Sequence, residues 1–437
     1  MKKIRLLIIL LLALMILNPG CSNSNKDTQP VDQMTGSGSS RAQDRESGYL
    51  SDARELISVV EKTHPAFALG DISDDYKQRK QELVNSVTKD TGKEEFTLLV
   101  RKYLASLHDG HTGVQNDSAK RFLNVNCRAD GNDLFLLNDD GSLSADRITH
   151  IEGVPVNRIF ETVQTYYVAE NDAAKNMNNS IWALNDEMLK LAGCDISTGS
   201  AEITVERDGV CYKEEAEFAD RDIYESYNYS YEIKSEIIND HIFYIDMNIC
   251  EDNKNLKAQI KELRKAIKSG ITKVIIDVRD NPGGNSTACT KLLNAMGMRN
   301  PEYGSFIRYS ELAHEQRGVP SEGFRQYDPD KAKARRNDKI QLVVLTNERT
   351  YSSATMLAVF VQDGDLGTVI GTPSSNAPSS YGDILYYQLP SSGIEVTISY
   401  KRWLRPDTEA DQRILIPDIV TDYNSDILQT AIDYLSN

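Results

Sequence analysis

The chain has 437 residues, 40% of them apolar and 26% charged, which is enough for about three ordinary domains and too apolar for a disordered chain. Its 49 Lys and Arg face 65 Asp and Glu, leaving a formal charge of −16. A surface of that sign repels polyanions, so nucleic acid is excluded as the expected partner.

At the N-terminus Lys2, Lys3 and Arg5 precede the apolar run Leu6 to Leu17, which is followed by Asn18, Pro19, Gly20 and Cys21. This order reads as an export signal over residues 1–20. The run is too short to cross a bilayer core of about 30 Å as a helix, and no other stretch approaches the length required. A small residue followed by Cys resembles the lipobox of bacterial lipoproteins, which makes Cys21 the candidate lipid-attachment residue. An extracytoplasmic protein, anchored to the bacterial cell membrane or secreted, is the expectation.

Residues 21–46 are almost free of apolar side chains and read as a disordered tether. From Leu50 the apolar positions Leu50, Ala53, Ile57 and Val60 recur at the helical period, as do Phe96, Leu99, Val100, Tyr103, Leu104 and Leu107. They predict a helical N-terminal domain over 47–118. From 119 to 235 short apolar stretches alternate with Asp-Gly, Asn-Asp and Gly-Ser turns, with one helix near Val156 to Tyr167, and predict a strand-rich middle domain. Its segment Ile148 to Pro155 is similar to the strand-turn of PDZ-like modules, but no carboxylate-binding loop of their kind follows from the sequence.

Residues 236–437 alternate strands (Ile242 to Met247, Lys273 to Val278, Ile340 to Leu345, Thr368 to Ile370) with helices (Leu256 to Lys268, Ser353 to Gln362). The segment Val274–Ile276 is apolar throughout, as a parallel strand covered on both faces requires. A hairpin over Ile384 to Tyr400 and a helix near Ser425 to Leu435 complete an α/β core.

Beyond Cys21 five cysteines remain (Cys127, Cys194, Cys211, Cys250, Cys289), with no C-x-x-C pair and no His at metal-ligand spacing. No metal site and no organic cofactor is expected. One disulfide among Cys127, Cys194 and Cys211 is conceivable in an oxidising compartment, against the simpler reading of buried thiols.

Three segments carry candidate chemistry. Ser106 to Thr112 ends a helix with His108, Asp109, Gly110 and His111; Gly110 suits a left-handed cap, and His111 suits a general base. Asn281-Pro282-Gly283-Gly284 follows a strand and offers bare N–H groups to an anion. Thr350-Tyr351-Ser352-Ser353-Ala354 opens an apolar helix, so a serine there is either a helix cap or a nucleophile above the sheet edge.

Taken together, Asp109 to Thr112, Asp277 to Gly284, Thr350 to Ala354, Gly371 to Pro373 and Pro417 to Val420 stand in the order found in C-terminal-processing (tail-specific) serine peptidases and their tricorn and interphotoreceptor-retinoid-binding-protein relatives. The chain resembles that family over about residues 47–437. The resemblance implies a crotonase/ClpP-like core, Ser352 as nucleophile, and the N–H groups of Ser353 and of Gly283 or Gly284 as oxyanion donors. The family's lysine base would fall at Ala377, so the resemblance points to the tricorn-like branch, with His111 as base and an acid shortly before Pro417. Asp411 is the first candidate for that acid and Glu409 the second. His108 is the runner-up base, and His64, before Pro65, is read as a helix end.

The function this implies is an exported serine peptidase acting on peptide or protein substrates. The alternative is an envelope protein that keeps the fold to bind peptides or ligands with little or no catalysis. Oligomeric state is not readable from the sequence.

Overall fold

The computed structural model describes residues 40–115, 120–221 and 232–437, so the export signal and Cys21 lie outside the described residues. The first described helix, Ser40–Thr63, begins inside the segment read as a tether. It stops where the pre-proline restriction predicts, one residue before His64-Pro65. Helices Asp74–Ser86 and Lys93–Ala105 follow. Ala53, Val60, Phe96, Val100 and Tyr103, all fully buried, lie on the shared face that the spacing predicts, and Leu56, which the spacing does not include, is buried with them.

Residues 120–221 build a seven-stranded antiparallel sheet, backed by helices Val156–Tyr166, Asp172–Trp182 and Asp186–Ala192. The periodicity predicts the first of these helices. The other two are capped by Asn171 and Asn185, whose side chains accept N–H bonds from Ala174 and Met188. Strand Leu143–Ile151 turns through Glu152 and Gly153, both at positive φ, as the Glu-Gly pair requires. Cys194 and Cys211 are free thiols. Cys194 is buried with its Sγ 3.4 Å from the Ile151 carbonyl, and burial pushes its pKa up to about 11.

The C-terminal half carries a six-stranded sheet in the order Ile419–Val420, Thr368–Gly371, Gln341–Thr346, Lys273–Asp277, Ile242–Met247, Ile233–Ile238. Every pairing is parallel except that of the last two strands. One face is covered by helices Lys254–Lys268, Thr287–Ala295 and Ser353–Asp363, the other by Ile427–Ser436. Val274, Ile275 and Ile276 are therefore completely buried, each stabilising the core by roughly 1.5–3 kcal/mol. The architecture is α/β, with a helical N-terminal part and a strand-rich middle part.

A third, five-stranded sheet joins the end of the helical N-terminal part to the C-terminal half. Strand Gly113–Val114, directly after His111, pairs antiparallel with Glu395–Leu404, with Gly113 opposite Thr397. Leu389, Ile394, Val396 and Ile398 from this hairpin region complete the core under the N-terminal helices. Thus the segment bearing His111 is fixed by backbone pairing to the same half of the chain that bears Ser352. Among the described residues no helix is long and apolar enough to cross a membrane.

Candidate active site

Strand Gln341–Thr346 ends in a turn that leads through Thr350 and Tyr351 to Ser352 and the helix Ser353–Asp363. The Thr350 hydroxyl donates to the Val278 carbonyl at 2.8 Å, and Tyr351 N–H donates to the Asn281 carbonyl at 2.9 Å, which ties this turn to the neighbouring glycine loop. Ser352 has φ 52° and ψ −121°, a conformation an L-residue adopts only under constraint. Although it occupies the cap position, its side chain caps nothing. The cap reading fails, and the hydroxyl stands without a protein hydrogen-bond partner among the described residues, on a sharp strand-to-helix elbow.

Gly283 and Gly284 adopt φ 100° and 127°. A Cβ on Gly283 would lie 2.5 Å from Ser352 Cβ and 2.8 Å from the Tyr351 carbonyl oxygen, and one on Gly284 would lie 2.3 Å from the Cys250 carbonyl oxygen. Only glycine lets the loop come this close to the elbow. The two N–H groups are not equivalent: that of Gly283 donates to Asn281 Oδ1 at 2.8 Å. Among the described residues no protein acceptor engages the N–H of Gly284 or of Ser353, and both residues line the same cavity. Of the two glycines the sequence left open, Gly284 supplies the free donor and Gly283 the clearance. Behind the loop the buried thiols of Cys250 and Cys289 lie 3.7 Å apart, and the Cys289 thiol faces the Ser353 carbonyl at 3.3 Å.

His111 and Ser352 both line a cavity of about 480 Å³, whose walls include Tyr381, Gly382, Lys401 and Trp403. The His111 side chain is 14% exposed, and neither ring nitrogen has a protein hydrogen-bond partner. Its ring packs against Tyr351 with centroids 5.0 Å apart. No hydrogen bond joins His111 to Ser352. His108, at φ 52°, is exposed and lines a neighbouring cavity with Glu170, so it does not meet the serine. The left-handed residue at this helix end is therefore His108 and not Gly110. Gly110 is needed for another reason, since a Cβ there would lie 2.1 Å from the Tyr351 hydroxyl.

The acid candidates Asp411 and Glu409 are not brought to His111. Both are exposed in the turn after strand Glu395–Leu404, where Asp411 Oδ1 accepts the N–H groups of Arg413 and Ile414. The turn is held there by the buried guanidinium of Arg405, which pairs with Asp363 and donates to the Asp411 carbonyl. The carboxylates beside His111 are Asp109 and Glu170, whose oxygens and the imidazole all lie within 4.8 Å of one another.

Asp109 is fully buried, 3.9 Å from His111 Nδ1, and accepts the His111 backbone N–H at 2.8 Å. It also accepts from Thr112 Oγ1 and stands 3.2 Å from His64 Nε2. Burial alone would push its carboxyl up, but the hydrogen bond from His64 and the field of the two imidazoles hold it well below the usual carboxylate range. Glu170 accepts from the N–H groups of Gly110 (3.0 Å) and Ala377 (2.8 Å) and from Asn376 Nδ2 (2.8 Å). Burial pushes its pKa up, a push that His111 opposes. Both carboxylates are thus engaged by donors, which suits an orienting cluster better than an open coordination site.

A larger cavity of about 860 Å³ lies between the middle sheet and the carboxyl ends of the parallel strands. Its guanidiniums include Arg128, paired with Glu348, and Arg279, paired with Asp277. Neither Ser352 nor His111 reaches it.

A serine on a strained strand-to-helix elbow, free amides beside it and a histidine across the cavity define a serine hydrolase of α/β type. Residues 241–421 match the model of peptidase family S41. The protein is a serine peptidase, and that region belongs to family S41, in agreement with the order of its motifs. No curated protein matches the chain. Among solved structures, mature CPAF complexed with lactacystin superposes with a TM-score of 0.61 at 14% identity, covering 90% of this chain and 97% of that one. The photosystem II D1 C-terminal processing protease is similar at a TM-score of 0.46 and 15% identity, covering 90% and 97%. The tricorn protease gives 0.39 at 13% identity, covering 89% of this chain and 36% of tricorn.

Proposed function

We propose that the protein is an exported peptidase in which Ser352 attacks the peptide carbonyl, His111 serves as general base, and Asp109 orients the imidazole. Serine is a poor nucleophile at neutral pH and needs such a base beside it. His111 takes the proton from the Ser352 hydroxyl as the C–O bond forms. The N–H groups of Gly284 and Ser353 stabilise the oxyanion. Collapse of the tetrahedral intermediate breaks the C–N bond, and the departing amine takes the proton from His111. Water, activated by the same imidazole, then releases the acyl group. Asp109 replaces Asp411 and Glu409 as orienting acid because it is ionised, buried and adjacent to His111. The family's lysine base has no counterpart at its position, which is Ala377.

The observation that carries this reading is the elbow at Ser352, an unengaged hydroxyl in a strained backbone conformation opening onto the cavity that His111 also lines. The test is hydrolysis of a mixed peptide pool by the purified full chain, followed by mass spectrometry. Ser352→Ala and His111→Ala should each lose on the order of 10²- to 10⁴-fold in turnover. A Ser352→Ala protein that cleaves at the wild-type rate sinks the reading.

Export and anchoring are proposed on the basic, apolar and Cys21 sequence of the N-terminus. The mass of the mature N-terminus tests them: an acylated Cys21 is expected, and a retained Met1 contradicts export.

A further inference from the structure

We propose that Glu170 is a positioning residue that, through Asn376, holds the His111 turn and the Ser352 elbow in register; the inference deepens the peptidase reading and rests on it. Glu170 lies between the middle helices Val156–Tyr166 and Asp172–Trp182, on neither of the two segments that carry the reacting side chains. Its Oε1 accepts the N–H of Gly110, the residue before His111. Its Oε2 accepts the Ala377 N–H and the Asn376 Nδ2 amide. Asn376, 2% exposed, turns its Oδ1 the other way and accepts the N–H of Ser352 at 2.9 Å. Two side chains thus link the backbone next to the imidazole with the backbone of the nucleophile.

Each link has a physical consequence. Ser352 sits at a strained φ that persists only if its surroundings over-determine it, and the Asn376 bond restrains the peptide group concerned. The Asn376 amide has fixed polarity, because its acceptor end faces an N–H and its donor end faces a carboxylate. A carboxylate at 170 satisfies three donors at once, which neither a neutral amide nor an alcohol can do. The next residue repeats the tie: Asn171 Nδ2 donates to the carbonyls of Ser374 and Arg413, each at 3.1 Å. The middle part of the chain therefore clips onto the 374–377 loop, and the reacting groups inherit their spacing from it. A displacement of about 1 Å at such a site costs on the order of 10²-fold in rate.

The experiment pairs amide hydrogen exchange with peptide-hydrolysis kinetics on the full chain. In Glu170→Ala, exchange should speed up in peptides containing Gly110, Ala377 and also Ser352, which Glu170 does not touch. In Asn376→Ala it should speed up at Ser352. Both variants should lose on the order of 10²-fold in kcat with little change in KM. Glu170→Gln sets two donors against each other and Asn376→Asp sets two carboxylates against each other, whereas the double variant lets Gln at 170 donate to Asp at 376 and should recover part of kcat. Unchanged exchange at Ser352 in Glu170→Ala, or a double variant no better than either single one, overturns the proposal. Should the wild type cleave nothing, the peptidase reading falls, while the exchange pattern still decides whether the tie exists.

Discussion

His64 Nε2 stands 3.2 Å from Oδ2 of Asp109, and neither side chain is exposed to solvent. Ala66 N–H donates to His64 Nδ1 at 3.3 Å, which assigns the ring proton to Nε2 and makes His64 a donor to the carboxylate. Asp109 thus has one histidine behind it and another in front.

Replacing His64 by alanine leaves a buried carboxylate short of its best donor. The expected cost is about 1.5–3 kcal/mol in unfolding free energy, measured by urea titration, with a fall in kcat because Asp109 loses its fixed orientation. A variant as stable and as active as the wild type would contradict the assignment.

Gly110→Ala forces a methyl group to within 2.1 Å of the Tyr351 hydroxyl oxygen, but 3.4 Å from the ring carbon that bears it. The substitution should cost about 1–3 kcal/mol and most of the activity. Tyr351→Phe removes the clashing atom, so the double variant should recover much of the stability. Additive losses in the cycle would show that the contact is not what makes Gly110 necessary.

Gly283→Ala combines a left-handed φ of 100° with a 2.5 Å approach to Ser352 Cβ. Displacement of the elbow should reduce turnover on the order of 10²-fold while the folded fraction stays high, read by circular dichroism beside the kinetics. Wild-type turnover in a folded Gly283→Ala protein would mean that the loop does not support the serine.

The depressed carboxyl of Asp109 has a definite pH signature. A group whose native pKa lies below its unfolded value stabilises the fold fully above the unfolded value, near 3.8, and that stability is lost as pH falls through the native one. The stability advantage of wild type over Asp109→Asn should therefore be present at pH 5 and shrink progressively below about pH 4. An advantage that grows on acidification would reverse the sign and contradict a buried, ionised Asp109.

The parallel core was legible because its signals are local: continuous apolar strands such as Val274–Ile276, and helices of regular period between them. Ser352 and His111 were legible through turn chemistry at the ends of such elements. The acid proposed to orient His111 was not. Asp411 matches a family spacing, but the pairing of Arg405 with Asp363 holds its turn at the surface, and no local pattern in the chain reports that. Glu170 sits in an ordinary Ala-Glu-Asn turn, and only tertiary structure brings it to Gly110. The His64-Pro65 pair marks the end of a helix, yet the His64 ring turns inward to Asp109, a contact between residues 45 positions apart. Gly110 is required by crowding from Tyr351, which comes from across the molecule, and not by a left-handed cap.

The central claim is that Ser352 is a nucleophile activated by His111. Peptide mapping after treatment of the folded full chain with a fluorophosphonate tests it most directly. The account predicts one adduct, on Ser352, formed on the order of 10²- to 10⁴-fold more slowly in His111→Ala. A folded wild-type protein with no adduct at Ser352, or a His111→Ala protein labelled at the wild-type rate, would contradict it.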